Sequence, residues 1–266
     1  MVSATASARP VLSFRNFSLR CDKSNPQVTF ETPWNWECGP GQRIAVISKN
    51  YFLRYQLSAC IAGLVPPASG EILGASVIGW PVGGDGGLDR KIRVSHAVDF
   101  LSTLYADCLE KSCVSFKQFW GLLSDVGIDP DVIIKELSKE QRNFFYMALS
   151  VLFVFDCYLI PRVKFLMSKS AAPLRALLLE QVEGRVLFAT ASNVQFQREF
   201  CTDGIVLGGS GQILFAGEIM AAIQWADRNL GGSSESESEE NEFEINLNMI
   251  ESGAAGDGAI DLESWG

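Results

Sequence analysis

Residues 43–72 read RIAVISKNYFLRYQLSACIAGLVPPASGEI. Residues 43–47 are a short apolar run, which is typical of a buried strand. A helix is predicted over residues 53–64, since apolar side chains recur there at helical spacing, namely Leu53, Leu57, Cys60, Ile61 and Leu64. Pro66-Pro67 ends that helix, and residues 71–80 predict a further strand. The order of strand, loop, helix and strand is typical of an α/β domain.

The remaining chain repeats the alternation of strands and helices. Strands are predicted at 11–21, 27–32, 157–160 and 186–190, helices at 95–126, 138–153, 171–181 and 193–200, and a hairpin at 204–215. Early β-hairpins followed by alternating apolar strands and helices indicate an α/β sandwich with a mostly parallel core sheet. Residues 1–230 are predicted to form this domain, with a helical subdomain at about 95–150.

Composition separates the body of the chain from its end. The 266 residues are 47% hydrophobic and 20% charged, as in a folded globular protein. Ten of the 31 acidic residues lie in residues 231–266, which contain no Lys or Arg, so residues 1–230 carry 22 bases against 21 acids. The body therefore offers no overall basic field for nucleic acid. Residues 231–266 are predicted to be an acidic, disordered tail that solubilises the chain or binds a basic partner.

Neither the cysteines nor the apolar segments indicate secretion. The seven cysteines include no C-x-x-C pair, which favours reduced, mostly buried thiols over disulfides or a zinc site. The first ten residues lack the apolar stretch of a signal peptide, and the longest apolar run, 148–160, is too short to span a bilayer. We expect a cytoplasmic protein that reaches the inner face of the cell membrane only through a partner.

Several separated segments together resemble the nucleotide-binding domain of ABC transporters. Residues 61–72 resemble the end of the helix that follows the phosphate loop in that family, and residues 137–160 are similar to its signature helix and next strand. Residues 201–219 resemble its closing hairpin. The Trp-Pro-Val-Gly loop at 80–83 is most like the corresponding loop in the ATPase subunits of capsular polysaccharide, O-antigen and teichoic acid exporters. The resemblance covers about residues 11–228 and implies the sandwich fold of P-loop NTPases, with an antiparallel β subdomain and a helical subdomain.

The phosphate-loop positions depart from the family pattern G-x-x-x-x-G-K-[ST]. In that pattern glycines turn backbone N–H groups toward the phosphates, Lys contacts the γ-phosphate and Ser or Thr binds Mg²⁺. The resemblance places five residues of this chain at those positions, Ser48, Tyr51, Leu53, Arg54 and Tyr55. Every glycine is absent, and bulky side chains strongly disfavour the positive φ that glycine permits. Tyrosine is also too large to share the position with a hydrated Mg²⁺.

The other nucleotide-site positions depart as well. Where the family strand ends in Asp-Glu, this chain has Pro161 and Arg162. The L-S-x-G-Q signature is represented by Ser138, Glu140 and Gln141, so a carboxylate replaces the glycine that faces the γ-phosphate of a partner subunit. Ala191 stands at the switch histidine and Cys21 at the aromatic residue that stacks on adenine. The resemblance with these departures implies no catalytic residue, cofactor or metal in this chain.

Single residues also allow other interpretations. Arg54 could contact a phosphate, but a surface or helix-start arginine is favoured; His96 is expected to face solvent or cap a helix. Cys108 and Cys113 are predicted to be core thiols, and Trp34 and Trp36 are predicted to be strand residues. The loop at 80–90 and the segment 95–123 are where we expect a partner contact, with a mobile surface loop as the alternative.

The sequence thus predicts a non-catalytic ABC ATPase-like subunit or regulator of a polysaccharide exporter. Its expected partners are a transmembrane permease subunit and a second ABC ATPase subunit, which is either a copy of this chain or a different one. Two alternatives stay open: a functioning ATP-binding subunit with an unusual site, and a scaffold that has no role in transport.

Overall fold

The computed structural model describes residues 11–22, 25, 27–74 and 77–231. Its strands are β1 Leu12–Ser18, β2 Trp34–Cys38, β3 Arg43–Ile47, β4 Ser69–Leu73, β5 Cys157–Ile160, β6 Val186–Ala189, β7 Asp203–Leu207 and β8 Ile213–Glu218. Its helices are α1 Tyr51–Ile61, α2 Val94–Leu104, α3 Ala106–Glu110, α4 Phe116–Asp125, α5 Lys139–Leu152, α6 Ala172–Gln181, α7 Val194–Phe200 and α8 Ile219–Leu230. The predicted tail at 231–266 lies outside the described residues except for Gly231.

The five-stranded sheet has the order β5-β6-β3-β7-β8 and is parallel except for the β7–β8 hairpin. Its central strands are buried on both faces, as all-parallel sheets require. Along β5, Tyr158 and Ile160 pack among the helices, whereas Cys157 and Leu159 face the second sheet. This arrangement confirms the predicted α/β sandwich with a mostly parallel core sheet.

The second sheet is antiparallel, has the order β2-β1-β4, and covers one face of the first. Aromatic side chains fill the space between the two sheets. Phe14 is stacked on Trp36 and meets Phe188 of β6 edge to face, with ring centroids 6.1 Å apart. Trp34 is buried and lies 5.0 Å from Phe30 between ring centroids, which confirms that the two tryptophans are strand residues.

Two stretches differ from the sequence prediction, one in the type of element and the other in the number of helices. Residues 27–32 do not form the predicted strand; β2 begins at Trp34 instead, directly after Pro33, which has no N–H to donate to a sheet. The predicted helix at 95–126 is divided into α2, α3 and α4. Ser115 starts α4, because its hydroxyl accepts a hydrogen bond from the Gln118 N–H at 3.2 Å.

Two side chains within this helical stretch also lie where they were not expected. Leu104 is 60% exposed although its spacing placed it on the apolar stripe of α2. Cys113 is exposed, which corrects its prediction as a core thiol, whereas Cys108 is buried as expected. The segment between α3 and α4 is a turn, so helical spacing does not determine the orientation of Cys113.

Candidate functional site

The carboxyl ends of β3 and β6 meet at one edge of the central sheet, which is the edge where α/β folds bind ligands. After β3 the chain passes through Ser48, Lys49 and Asn50 and enters α1 at Tyr51. The side-chain Oδ1 of Asn50 accepts a hydrogen bond from the Leu53 N–H at 3.1 Å, and the backbone carbonyl of Asn50 accepts one from the Arg54 N–H at 3.2 Å. The first turn of α1 therefore occupies the predicted phosphate-loop positions.

This first turn determines what its backbone can do. In a phosphate loop the amides face the phosphate oxygens, but the Leu53 and Arg54 amides bond to Asn50. Tyr51 and Leu53 have ordinary helical backbone, since Asn16 is the one non-glycine residue with positive φ among the described residues. Leu53 is fully buried in the core between the sheets. Residues of this size are accommodated here because the backbone is a helix rather than a phosphate loop.

Arg54 lies at the helix start, as one of the expectations had it, but it is buried, with 5% of its surface exposed. Its Nη1 donates to the carbonyl oxygen of Thr190, directly after β6, at 3.1 Å. Its guanidinium carbon lies 5.8 Å from the centre of the Tyr51 ring. The side chain is therefore directed into the protein, where it is hydrogen-bonded to the segment that follows β6.

Tyr55, which was predicted to stand at the position of the magnesium-binding hydroxyl, is half-buried, and burial raises the pKa of its phenol above the ordinary value of 10. Mg²⁺ is bound through carboxylates, phosphates and water rather than through neutral phenols. Pro161 and Arg162 follow β5 and are partly buried. Within the described part of the chain, no group of three or more His, Cys, Asp or Glu residues could hold a metal ion.

The signature residues lie at the start of α5. Ser138 and Gln141 form a capping box, with the Gln141 N–H donating to the Ser138 hydroxyl and the Ser138 N–H donating to Gln141 Oε1, both at 3.1 Å. Gln141 Nε2 also donates to the carbonyl oxygen of Gly127 at 3.1 Å. Glu140 is exposed in the first turn, where a negative charge is favoured by the helix dipole. These side chains thus stabilise the start of α5.

The switch and adenine positions are buried. Ala191 is 5% exposed, and its carbonyl oxygen accepts a hydrogen bond from Gln197 Nε2 at 2.9 Å. Cys21 is also buried, and its backbone carbonyl accepts one from Asn50 Nδ2 at 2.7 Å. The same Asn50 nitrogen donates to the carbonyl oxygen of Gly209 at 3.0 Å. Asn50 therefore joins α1 to two other segments that surround the site.

The structure brings the residues at 48–55 together with Thr190 and Ala191, whereas the signature residues make their contacts with the loop before α5. Two residues of the first group, Asn50 and Thr190, were missed by the sequence analysis. The signal for Asn50 was present, since Asn directly before an apolar helical pattern indicates an N-cap. Thr190 had no local signal, because its partner Arg54 lies 136 residues earlier.

The loop at 80–90 packs against β5 and α5. The Val82 N–H donates to the Leu159 carbonyl at 2.8 Å, and the Gly83 N–H donates to the Ser150 hydroxyl at 3.1 Å. Beside the loop, α2 exposes Phe100 and Leu104, which lie one turn apart and are 57% and 60% exposed. His96, on the same helix, is exposed as expected.

The fold is that of an ABC ATP-binding domain. One solved structure, an ATP-binding subunit of an ABC transporter, matches with a TM-score of 0.58 and 14% identity over 90% of this chain and 99% of that one. A second, cbiO1 of Clostridium perfringens from the transporter complex cbiONQ, has a TM-score of 0.55 and 15% identity over 83% and 96%. The resemblance to ABC nucleotide-binding domains is therefore confirmed for the fold.

Three sequence relatives are ATP-binding proteins, of which one is named for polysialic acid transport and one for capsule polysaccharide export. The polysialic acid transport ATP-binding protein KpsT of Escherichia coli is 28% identical over 186 residues, which are 69% of this chain and 83% of KpsT. BexA of Haemophilus influenzae is 25% identical over 65% of this chain and 78% of its own length. The capsule polysaccharide export ATP-binding protein CtrD of Neisseria meningitidis is 24% identical over 63% of this chain and 76% of CtrD. No protein-family model matches the chain.

Proposed function

We propose that the chain is a non-catalytic, ABC ATPase-like subunit of a polysaccharide exporter. The observation that carries this proposal is the first turn of α1, in which Asn50 binds the Leu53 and Arg54 amides. Positioned backbone dipoles and a bound metal provide most of the stabilisation in phosphoryl transfer. With the amides engaged and Tyr55 at the metal position, the chain lacks both.

The α2 surface supports a permease as partner. Phe100 and Leu104 lie one turn apart on α2 and are both exposed, so they form an apolar pair on its surface. Adjacent exposed apolar side chains of this size are typical of protein–protein contacts. No helix among the described residues is long and apolar enough to cross a membrane. We expect a separate permease subunit to provide the membrane path and this chain to bind it through α2.

A second ABC ATPase subunit is the other partner that we propose. ABC domains pair head to tail, so the start of α5 would face the nucleotide of the other subunit. Glu140 is exposed there and would place a carboxylate near the γ-phosphate, where like charges repel. The chain would therefore contribute structure to the pair rather than a second hydrolytic site.

Nucleotide binding tests the proposal directly. The purified full chain is expected to show no ATP hydrolysis and no rise in melting temperature with millimolar Mg-ATP, with KpsT of Escherichia coli as the control that binds. A Kd near 1 μM corresponds to about 8 kcal/mol of binding free energy and would give a clear shift. Such a shift would favour the alternative, a functioning ATP-binding subunit.

Permease binding tests the second half of the proposal. Replacing Phe100 and Leu104 with Asp is expected to abolish copurification with a coexpressed exporter permease, because the apolar pair would be lost while the core is unchanged. The matched control is Arg228→Asp on the exposed side of α8, outside the segment where the partner contact is expected. A chain that binds no permease, whether wild-type or variant, would favour the scaffold that has no role in transport.

A further inference from the structure

Two buried side chains of α1 attach this helix to the segment after β6. Arg54 Nη1 donates to the Thr190 carbonyl at 3.1 Å, and the Ser58 and Thr190 hydroxyls are 2.6 Å apart. Arg54 and Ser58 lie one turn apart, so they face the same side of the helix. All three residues are at most 5% exposed. Water is therefore largely excluded from this junction.

The burial of Arg54 has an energetic consequence. A guanidinium loses much of its hydration on burial, and the protein must replace it with hydrogen bonds or an aromatic face. The Thr190 carbonyl and the Tyr51 ring are two such groups here. A cation that is held by buried groups in this way keeps a defined geometry, because any movement away from them leaves its charge poorly solvated.

Asn50 connects the same helix to two further segments. Its Nδ2 donates to the carbonyls of Cys21 and Gly209, at 2.7 and 3.0 Å. The resemblance to ABC domains places residues of three of these segments at nucleotide-contacting positions, with Arg54 at the phosphate-loop lysine, Ala191 at the switch histidine and Cys21 at the adenine-stacking aromatic residue. In this chain hydrogen bonds from Asn50 and Arg54 join α1 to the segment containing Cys21, to the turn after β7 and to the segment after β6.

We infer that Arg54 is a positioning residue that replaces bound nucleotide as the link between α1 and the segment after β6. The junction is thereby held in one arrangement without a ligand, so the subunit presents a constant structure to its partners. The inference rests on the proposed function in one respect, that the chain does not depend on nucleotide.

Hydrogen exchange of the full-length chain tests the role of Arg54. Arg54→Met keeps the length of the side chain and removes its donors, and it is expected to speed exchange of the amides at 54–58 and 190–192 by about tenfold or more, the factor expected for one charged hydrogen bond. Arg54→Lys keeps the charge but not the planar fork and should give a smaller increase. The matched control is Arg142→Met, whose partly exposed guanidinium donates to the Leu137 carbonyl at 3.4 Å and whose loss should leave both segments unchanged.

The outcomes are distinguishable from those of the ATP-binding test. If Arg54→Met exchanges like the wild-type chain, the inference is overturned while the proposed function stands. If inorganic phosphate or Mg-ATP stabilises the wild-type chain but not Arg54→Met, Arg54 is an anion-binding residue, and both proposals fail. Should Arg54→Met not fold, Arg54→Lys carries the comparison, and wild-type exchange in that variant overturns the inference.

Discussion

Asn50 determines where α1 begins. Its side-chain oxygen accepts a hydrogen bond from the Leu53 N–H, and its side-chain nitrogen donates to two backbone carbonyls, so both polar atoms of the amide have partners. An N-cap of this kind contributes about 1 kcal/mol to helix stability. The cap also places Arg54 and Ser58 on the side of the helix that faces Thr190. A single polar residue therefore sets both the start of the helix and the orientation of its buried side.

Restoring charged groups alone should not restore activity. We expect the triple variant Arg54→Lys, Pro161→Asp, Arg162→Glu to remain without ATP hydrolysis and without a Mg-ATP thermal shift. Asn50 would still bind the amides at 53 and 54, and Tyr55 would still block the metal position. The control replaces the whole 48–56 segment with a glycine-bearing phosphate loop, which is the minimum change for binding. Hydrolysis by the triple variant would show that these three residues alone separate the chain from an active ATPase, which would contradict the proposed function.

Cys113 should be the thiol that reacts first. It is exposed, whereas the other six cysteines are buried. Its pKa is raised, first by partial burial and then by the charge of Glu180, so labelling should be slower than for a free cysteine at pH 8 and should speed up as pH rises. Mass spectrometry after maleimide treatment should show one label per native chain. Cys113→Ser should remove it and Cys108→Ser should not; a second label at a similar rate would contradict the burial of the others.

At the scale of elements, β5 and its neighbours depend on a buried tyrosine. The Tyr158 hydroxyl donates to the Phe153 carbonyl and accepts from the Phe155 N–H, both at 3.2 Å. These bonds hold the turn between α5 and β5 against the strand. Burial raises the pKa of Tyr158 from 10 to about 12, because the charged phenolate is poorly solvated there.

Tyr158→Phe tests this arrangement through pH. At pH 8 the variant should lose about 1–3 kcal/mol of unfolding free energy, since the Phe155 N–H loses its partner. The folded pKa is above the unfolded one, so the stabilisation is complete below pH 10 and is lost as pH rises toward 12. Urea unfolding at pH 8, 10 and 11 should therefore show the difference between wild-type and variant shrinking. A difference that is constant with pH would be inconsistent with a buried, neutral phenol.

The elements that sequence periodicity predicted correctly are those with a strong local pattern. The apolar run of β5 and the spacing along α1 are of this kind. The helix α8 was not predicted from the sequence, although its buried residues Ile219, Ala222, Ile223 and Ala226 follow helical spacing. The burial of Arg54 could not be predicted, since it depends on a carbonyl brought alongside by the parallel pairing of β3 and β6.

At the scale of the whole molecule, apolar clusters lie on both faces of the central sheet. One packs the sheet against α2, α4, α5 and α6, and another fills the space between the two sheets. A third, smaller cluster lies under α8. The apolar residues of all three lie between Val11 and Leu230.

Removing residues 231–266 is expected to leave this core unchanged. The segment holds ten acidic residues, no Lys or Arg and few apolar side chains, so composition predicts little contribution to folding. The melting temperature of the truncated chain should agree with that of the full chain to within about 2 °C, which corresponds to at most about 1 kcal/mol for a domain of this size. A large drop would show that the segment is packed.

The cap at Asn50 also bears on how such a chain can change over generations. Glycine at 51 would weaken the first turn of α1 by about 1 kcal/mol, and glycine at 53 would in addition remove the buried Leu53 side chain at a cost of about 2–5 kcal/mol, before any phosphate could be bound. Each step toward a glycine-bearing phosphate loop would therefore lower stability first and would permit phosphate binding only when several changes had accumulated. Selection for a stable fold would therefore retain the helix at the start of α1 and oppose its replacement by a phosphate loop.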